Sequence, residues 1–256
     1  MQIISWEFPI NIQVLNKTIS THFILEIVSM FIGVRYYVFL RKNSKDLISE
    51  INRLKIFVAV CFGALFGSRL IGVLENPFEF LYSPNKFYYL FTNKTIIGGL
   101  LFALFSVELM KLKIGVKTSS GDLMTYPVIL ALIIGRVGCF CEGLNDGTIG
   151  KKTELFTGIN FGDGILRHPL PLYEILFLFF LWLTILFFEK KTELANGSKF
   201  KLFLILYFIY RFMIEFLKDN EFTFLKLSTI QLTCLAGLIY YSKTLTNPKK
   251  IFSRYA

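Results

Sequence analysis

Seven apolar runs separated by short polar segments set the pattern of this chain. They fall at about residues 22–40, 54–74, 95–111, 121–139, 172–189, 200–217 and 227–242. Each is near the ~20 residues a helix needs to cross the ~30 Å hydrocarbon layer of a bilayer. The pattern predicts an all-α integral membrane protein with seven transmembrane helices. It forms a single transmembrane domain over residues 1–256, with no room for a separate soluble domain. Ahead of the first run, Trp6, Phe8 and Ile10 alternate with polar residues, which predicts a short extended or interfacial piece. The first twenty residues lack the basic start and small-residue cleavage site of a signal peptide. The longest polar interruption is a Gly-rich loop between spans four and five. It begins where Arg136 closes one run and ends where Tyr173 and Glu174 open the next.

Composition strengthens this reading. Hydrophobic residues make up 54% of the chain, Phe alone occurs 29 times, and mean hydropathy is +0.56. This apolar share lies above that of an ordinary soluble domain. A net charge of +10 in a soluble chain would suggest nucleic acid. Here the basic residues sit in the segments between apolar runs, as topology signals do, and nucleic acid is not an expected partner. With the N-terminus outside, the cytoplasmic segments hold 16 of the 28 Lys and Arg residues, Arg53 among them, and the outer segments hold 8. This bias predicts an outside N-terminus and a cytoplasmic C-terminus.

Under that topology Arg69, Arg136 and Arg211 each lie about twelve to fifteen residues into spans two, four and six, in the outer third. Gly98, Gly99, Tyr173 and Glu174 start spans that run the other way and share that level. A charge in hydrocarbon needs water, an anion or a carboxylate. Tyr207, Arg211 and Glu215 recur at i, i+4 and i+8, so Glu215 is placed to neutralise Arg211. Three arginines beside a Gly-rich cap point to an anion site, and the anion at that depth is a phospholipid phosphate. The structural alternative for each arginine is an ion pair or a side chain that snorkels to the surface.

The remaining polar residues have modest readings. Asp122, at the cytoplasmic start of span four, suits a helix cap. Gly98-Gly99 and the Gly63…Gly67 spacing suit close helix packing. Glu142, Asn145 and Asp146 form good turn chemistry. His22 reads as interfacial. His168, in Arg167-His168-Pro169 ahead of Tyr173, is a functional candidate, its alternative being a hydrogen-bonded structural residue. Cys139 and Cys141 form a C-x-C, too tight for C-x-x-C metal or redox chemistry, and read as small fillers. With no metal-ligand cluster, nucleotide loop or flavin fingerprint in the sequence, no metal and no cofactor are expected.

Five stretches together resemble the bacterial phosphatidylglycerol–prolipoprotein diacylglyceryl transferase family, from about Leu54 onward. They are GALFGSRLIGVLEN (63–76), TIIGGLLFA (95–103), GDLMTYPVILALIIGRVGCFCEGLNDGTIG (121–150), RHPLPLYE (167–174) and YFIYRFMIEFLK (207–218). The resemblance implies a multi-pass enzyme of the bacterial inner (plasma) membrane. It would transfer diacylglyceryl from phosphatidylglycerol to the lipobox cysteine of prolipoprotein signal peptides, forming a thioether and releasing glycerol phosphate. It also implies catalytic roles for Arg136, Arg211 and His168. Substrate binding would fall to Arg69, Gly98, Gly99, Glu142, Asn145, Gly150, Arg167, Tyr173, Tyr207 and Glu215, with Asp122 and Glu174 in support. Three positions depart from the family pattern. Ile97 stands where the family has histidine before Gly-Gly, Cys139 where it has asparagine, and Pro171 where it usually has glutamine. These departures keep open a protein of the same fold that binds lipid phosphate but uses another acceptor or has no activity.

Overall fold

The computed structural model describes residues 7–14, 17–44, 46–218 and 226–252. The described chain is helical, and helices occupy all seven predicted runs. They are α1 (Thr21–Lys42), α2 (Glu50–Glu75), α5 (Ile96–Ile114), α6 (Thr125–Glu142), α7 (Leu170–Lys191), α8 (Ser198–Ile214) and α9 (Thr229–Tyr240). Two short helices, α3 (Pro77–Tyr82) and α4 (Lys86–Thr92), precede α5. Four helical segments are long and apolar enough to cross a membrane: α1, α2, α6 with its flanking turns, and α7. A fifth qualifies if α4 and α5, which meet at an 87° bend, form one broken span. α8, at 17 residues, and α9, at 12, are shorter.

Local chemistry sets several helix ends. Ser20, Ser49 and Thr95 accept backbone N–H bonds at the starts of α1, α2 and α5. Ser228 and Gln231 form a capping box on α9. Asp122 lies in the 3₁₀ turn that leads into α6, next to the start of that helix. Gly143 ends α6 at a positive φ of 64°, a conformation that a Cβ disfavours.

Two antiparallel ribbons add a little strand. β1 (Asn11–Val14) pairs with β2 (Lys17–Ser20), Asn11 opposite Ser20. In the α6–α7 loop β3 (Ile159–Asn160) pairs with β4 (Leu166–Arg167). Trp6 lies outside the described residues. Phe8 packs its ring on Phe140 and Phe161, and Ile10 N–H donates to the Cys141 carbonyl at 2.8 Å, so the N-terminal piece is tied to the end of α6.

The chain divides into two compact units. The first holds α1, α6, α7 and both ribbons. α6 packs against α1 and α7, and Gly33 of α1 lets the chain approach Ala131 and the Pro127 carbonyl. Outward faces are apolar, as with Phe31 and Met30 on α1 and Phe180 on α7. Buried positions include Ser29 and Gly33. Small residues such as these let α1 approach its neighbour closely, while large apolar side chains such as Ile129, Leu178 and Ile185 fill the rest of the interior.

The second unit holds α2–α5, α8 and α9, with α2 packed on α5 and α8 on α9. Gly67 and Gly98 meet backbone to backbone. A Cβ on Gly67 would overlap Phe102, and one on Gly98 would lie 2.7 Å from Ile71 Cβ. Gly98 is therefore used for packing. Arg53, counted above among the loop charges, is buried. Its Nε and Nη2 take both Asp46 oxygens at 2.7 and 2.8 Å, and Nη1 takes the Ser120 carbonyl at 2.9 Å.

Candidate active site

In the first unit, α6 carries Arg136 toward its C-terminal end, where the side chain is buried. Its Nε lies 2.9 Å from Glu174 Oε1 on the first turns of α7, and Glu174 is buried still more deeply. Arg136 Nη1 also donates to Cys139 Sγ at 3.4 Å, three residues on along the same helix. The charge that needed a carboxylate, water or an anion thus has a carboxylate, with a sulfur beside it. Burial of both partners keeps the pair weakly screened.

Beside this pair, the imidazole of His22, from α1, faces Cys139 and Asp146. Its Nε2 is 3.9 Å from Cys139 Sγ and 3.6 Å from Asp146 Oδ1. Gly138 makes room for it, because a Cβ there would lie 3.0 Å from the imidazole Cδ2. The other Asp146 oxygen accepts from Thr148 Oγ1. Ser20 donates to Glu142 Oε2 at 2.9 Å, which ties the start of α1 to the end of α6. Cys139 is buried, and His22 keeps a quarter of its side-chain surface exposed while it faces Cys139 and Asp146. Asn145 is exposed in the same 3₁₀ turn as Asp146.

The loop that follows is held by backbone bonds. Gly150 N–H donates to the His168 carbonyl at 2.9 Å, and Lys151 N–H to the Leu217 carbonyl at 2.8 Å. Gly150 is packed so closely that a Cβ would lie 2.7 Å from His168 Cβ. His168 is buried, and its Nδ1 is 3.3 Å from Tyr173 Oη, which in turn lies 2.6 Å from Thr157 Oγ1. Burial, and then the nearby Lys151 ammonium, lower the His168 pKa, so the imidazole favours its neutral form. Arg167 bonds Asp163 through Nε at 2.7 Å on the exposed β-ribbon.

In the second unit, Arg211 of α8 donates through Nη2 to Glu215 Oε2 at 3.0 Å, as the i, i+4 spacing predicts. Glu215 and Tyr207 are both buried. Arg69 is half-buried and donates through Nη1 to Ser68 Oγ at 3.1 Å. Gly99 is buried in the first turns of α5, and Ile97, in place of the family histidine, is 1% exposed and offers no proton acceptor.

The predicted residues thus fall into two groups, each built inside its own unit. The first unit gathers Arg136, Glu174, Glu142, Asn145, Gly150, Arg167, His168 and Tyr173. The second gathers Arg69, Gly98, Gly99, Tyr207, Arg211 and Glu215. Sequence reasoning missed the contacts of His22 and the partner of Arg136, because no fixed spacing links α1 to α6 or α6 to α7. The only local signal was the seven-residue step from Cys139 to Asp146, which reads as an ordinary turn.

A family model described as prolipoprotein diacylglyceryl transferase matches residues 9–245. The phosphatidylglycerol–prolipoprotein diacylglyceryl transferase of Campylobacter lari is 40% identical over 101 residues, covering 40% of this chain and 36% of that protein. Proteins of the same name match over longer stretches. That of Wolbachia pipientis (subsp. Culex pipiens) is 29% identical over 209 residues, 72% of this chain and 76% of its own. That of Clostridium tetani is 28% identical over 207 residues, 78% and 82% respectively.

Proposed function

Because the chain belongs to the prolipoprotein diacylglyceryl transferase family, we propose that it moves diacylglyceryl from phosphatidylglycerol to the lipobox cysteine of prolipoprotein signal peptides. The sulfur attacks the diacylglyceryl carbon, the bond from that carbon to the phosphate oxygen breaks, and glycerol phosphate leaves. The thiol proton is given up on the way. The protein works in the bacterial inner membrane as one transmembrane domain, crossing seven times with its N-terminus outside.

The observation that carries this reading is the buried, carboxylate-oriented Arg136 at the end of an apolar helix. A guanidinium held by Glu174 is preorganised for an oxyanion, so no reorganisation is needed when negative charge grows on the departing phosphate. Arg211, oriented by Glu215, supplies the same chemistry. Arg69, Gly98, Gly99, Glu142, Asn145, Gly150, Arg167, Tyr173 and Tyr207 shape substrate binding, and Asp122 supports α6. His168, held neutral, is available as a proton acceptor.

The test is complementation of a bacterium depleted of its own diacylglyceryl transferase, with Arg136→Ala and Arg211→Ala beside the wild type. Rescue by the wild type alone is expected. Failure of a well-expressed, inserted wild type would refute the activity. A second reading rests on the full burial of Ile97, which leaves its position without a proton acceptor. It is a lipid-phosphate binder with another acceptor or none, and it predicts phosphatidylglycerol binding without thioether formation.

A further inference from the structure

The cluster of His22, Cys139 and Asp146 has a composition that the transferase reading does not use. Its three ligand-type atoms, one imidazole nitrogen, one thiol sulfur and one carboxylate oxygen, all lie within 4.8 Å of one another. Tetrahedral zinc, with bonds of about 2.3 Å to sulfur and about 2.0–2.1 Å to nitrogen or oxygen, spaces its ligands by about 3.3–3.6 Å. The observed separations of 3.6 and 3.9 Å from His22 Nε2 need shifts of only a few tenths of an ångström. Both contacts are made by the same imidazole nitrogen, which suits a shared cation between the groups better than a relay that runs through opposite ring nitrogens.

Charge and support agree with this. A thiolate and a carboxylate balance a divalent ion, and Glu174 balances Arg136 next to Cys139 Sγ. Thr148 fixes the outer oxygen of Asp146, the kind of bond that orients a metal ligand. The Cys139 ligand is buried, while the His22 and Asp146 side chains keep 24% and 11% exposure, so among the described residues the cluster is partly accessible. Three protein ligands with an open fourth position is the pattern of a reactive zinc site rather than a closed structural one.

We infer that His22, Cys139 and Asp146 bind one zinc ion, whose fourth position takes the acceptor thiol. The second half of this inference rests on the transferase reading. Coordination releases the thiol proton to water and leaves a metal-bound thiolate. Its sulfur then forms the carbon–sulfur bond as the carbon–oxygen bond to phosphate breaks, and the zinc is unchanged. This provides a thiolate without a histidine at Ile97, and places it beside Arg136.

The experiment measures zinc in the full chain purified in detergent, and cobalt(II) absorption after exchange. About one zinc per chain is expected in the wild type, with a loss of at least about tenfold in Cys139→Ser and in the isosteric Asp146→Asn. The exposed Cys61→Ser should keep its metal. Cobalt should show a thiolate charge-transfer band that Cys139→Ser lacks. A folded wild type with no zinc or cobalt above background overturns the site, as does full retention in both variants. If Cys139→Ser does not fold, the Asp146→Asn content and the wild-type cobalt band decide. A lipobox peptide should strengthen the thiolate band only when it carries cysteine. An equal response to its serine form overturns the thiol role. Metal binding without glycerol phosphate release sinks the transferase reading alone, and release from a metal-free chain sinks the zinc site alone.

Discussion

Replacing Glu174 with Gln leaves Arg136 charged, buried and without its carboxylate. The ion contact is 2.9 Å, between side chains 7% and 2% exposed. At an effective dielectric of about 20, two unit charges at that distance attract by about 6 kcal/mol. Much of this is offset in the native protein by desolvation of both groups, but that cost remains for Arg136 after its partner is gone. Removing one member of a buried pair therefore costs about 3–5 kcal/mol. For a chain of this size each kcal/mol shifts Tm by about 2–4 °C, so the expected fall is on the order of 10 °C. The assay is thermal unfolding of detergent-solubilised protein, with Arg136→Gln/Glu174→Gln run alongside. The double variant buries no orphan charge and should be more stable than Glu174→Gln by at least about 1 kcal/mol. A Tm for Glu174→Gln close to wild type, or a double variant no better than the single, would refute the argument that the pair is buried and mutually dependent.

Three further outcomes follow from single contacts. Arg211→Lys should keep the charge beside Glu215 and most of the stability, yet cut glycerol phosphate release by about 10²-fold, because an ammonium cannot hold an oxyanion bidentately; unchanged release would remove Arg211 from the site. His168 has a pKa below its unfolded value, so its contribution to stability is complete above about pH 6.5 and is lost as pH falls toward the folded value. Unfolding between about pH 7 and 5 should therefore depend less steeply on pH in His168→Asn than in wild type; equal slopes would exclude the buried neutral imidazole. Gly67→Ala should destabilise by about 1–3 kcal/mol by forcing α2 from the Gly98 carbonyl and Phe102, measured by the same thermal assay.

The apolar runs by themselves determined where the helices form, because a segment that must satisfy every backbone group without water has little choice but to coil. They also determined contacts confined to one helix. Arg211 and Glu215 pair because positions four apart face the same way. The Gly63…Gly67 spacing announced a close neighbour, and α5 takes that place. Other outcomes lay beyond reading along the chain. Arg53 looked like a solvated loop charge until Asp46 and the Ser120 carbonyl closed around it. Arg136 needed a counter-charge, but only the packing of α6 on α7 made that partner Glu174. His22 and Cys139, 117 residues apart, became neighbours because α1 packs on α6. The physical reason is common to Arg136 and His22. Helix periodicity fixes the direction of a side chain on its own axis, whereas the group it meets depends on which faces of different helices are pressed together.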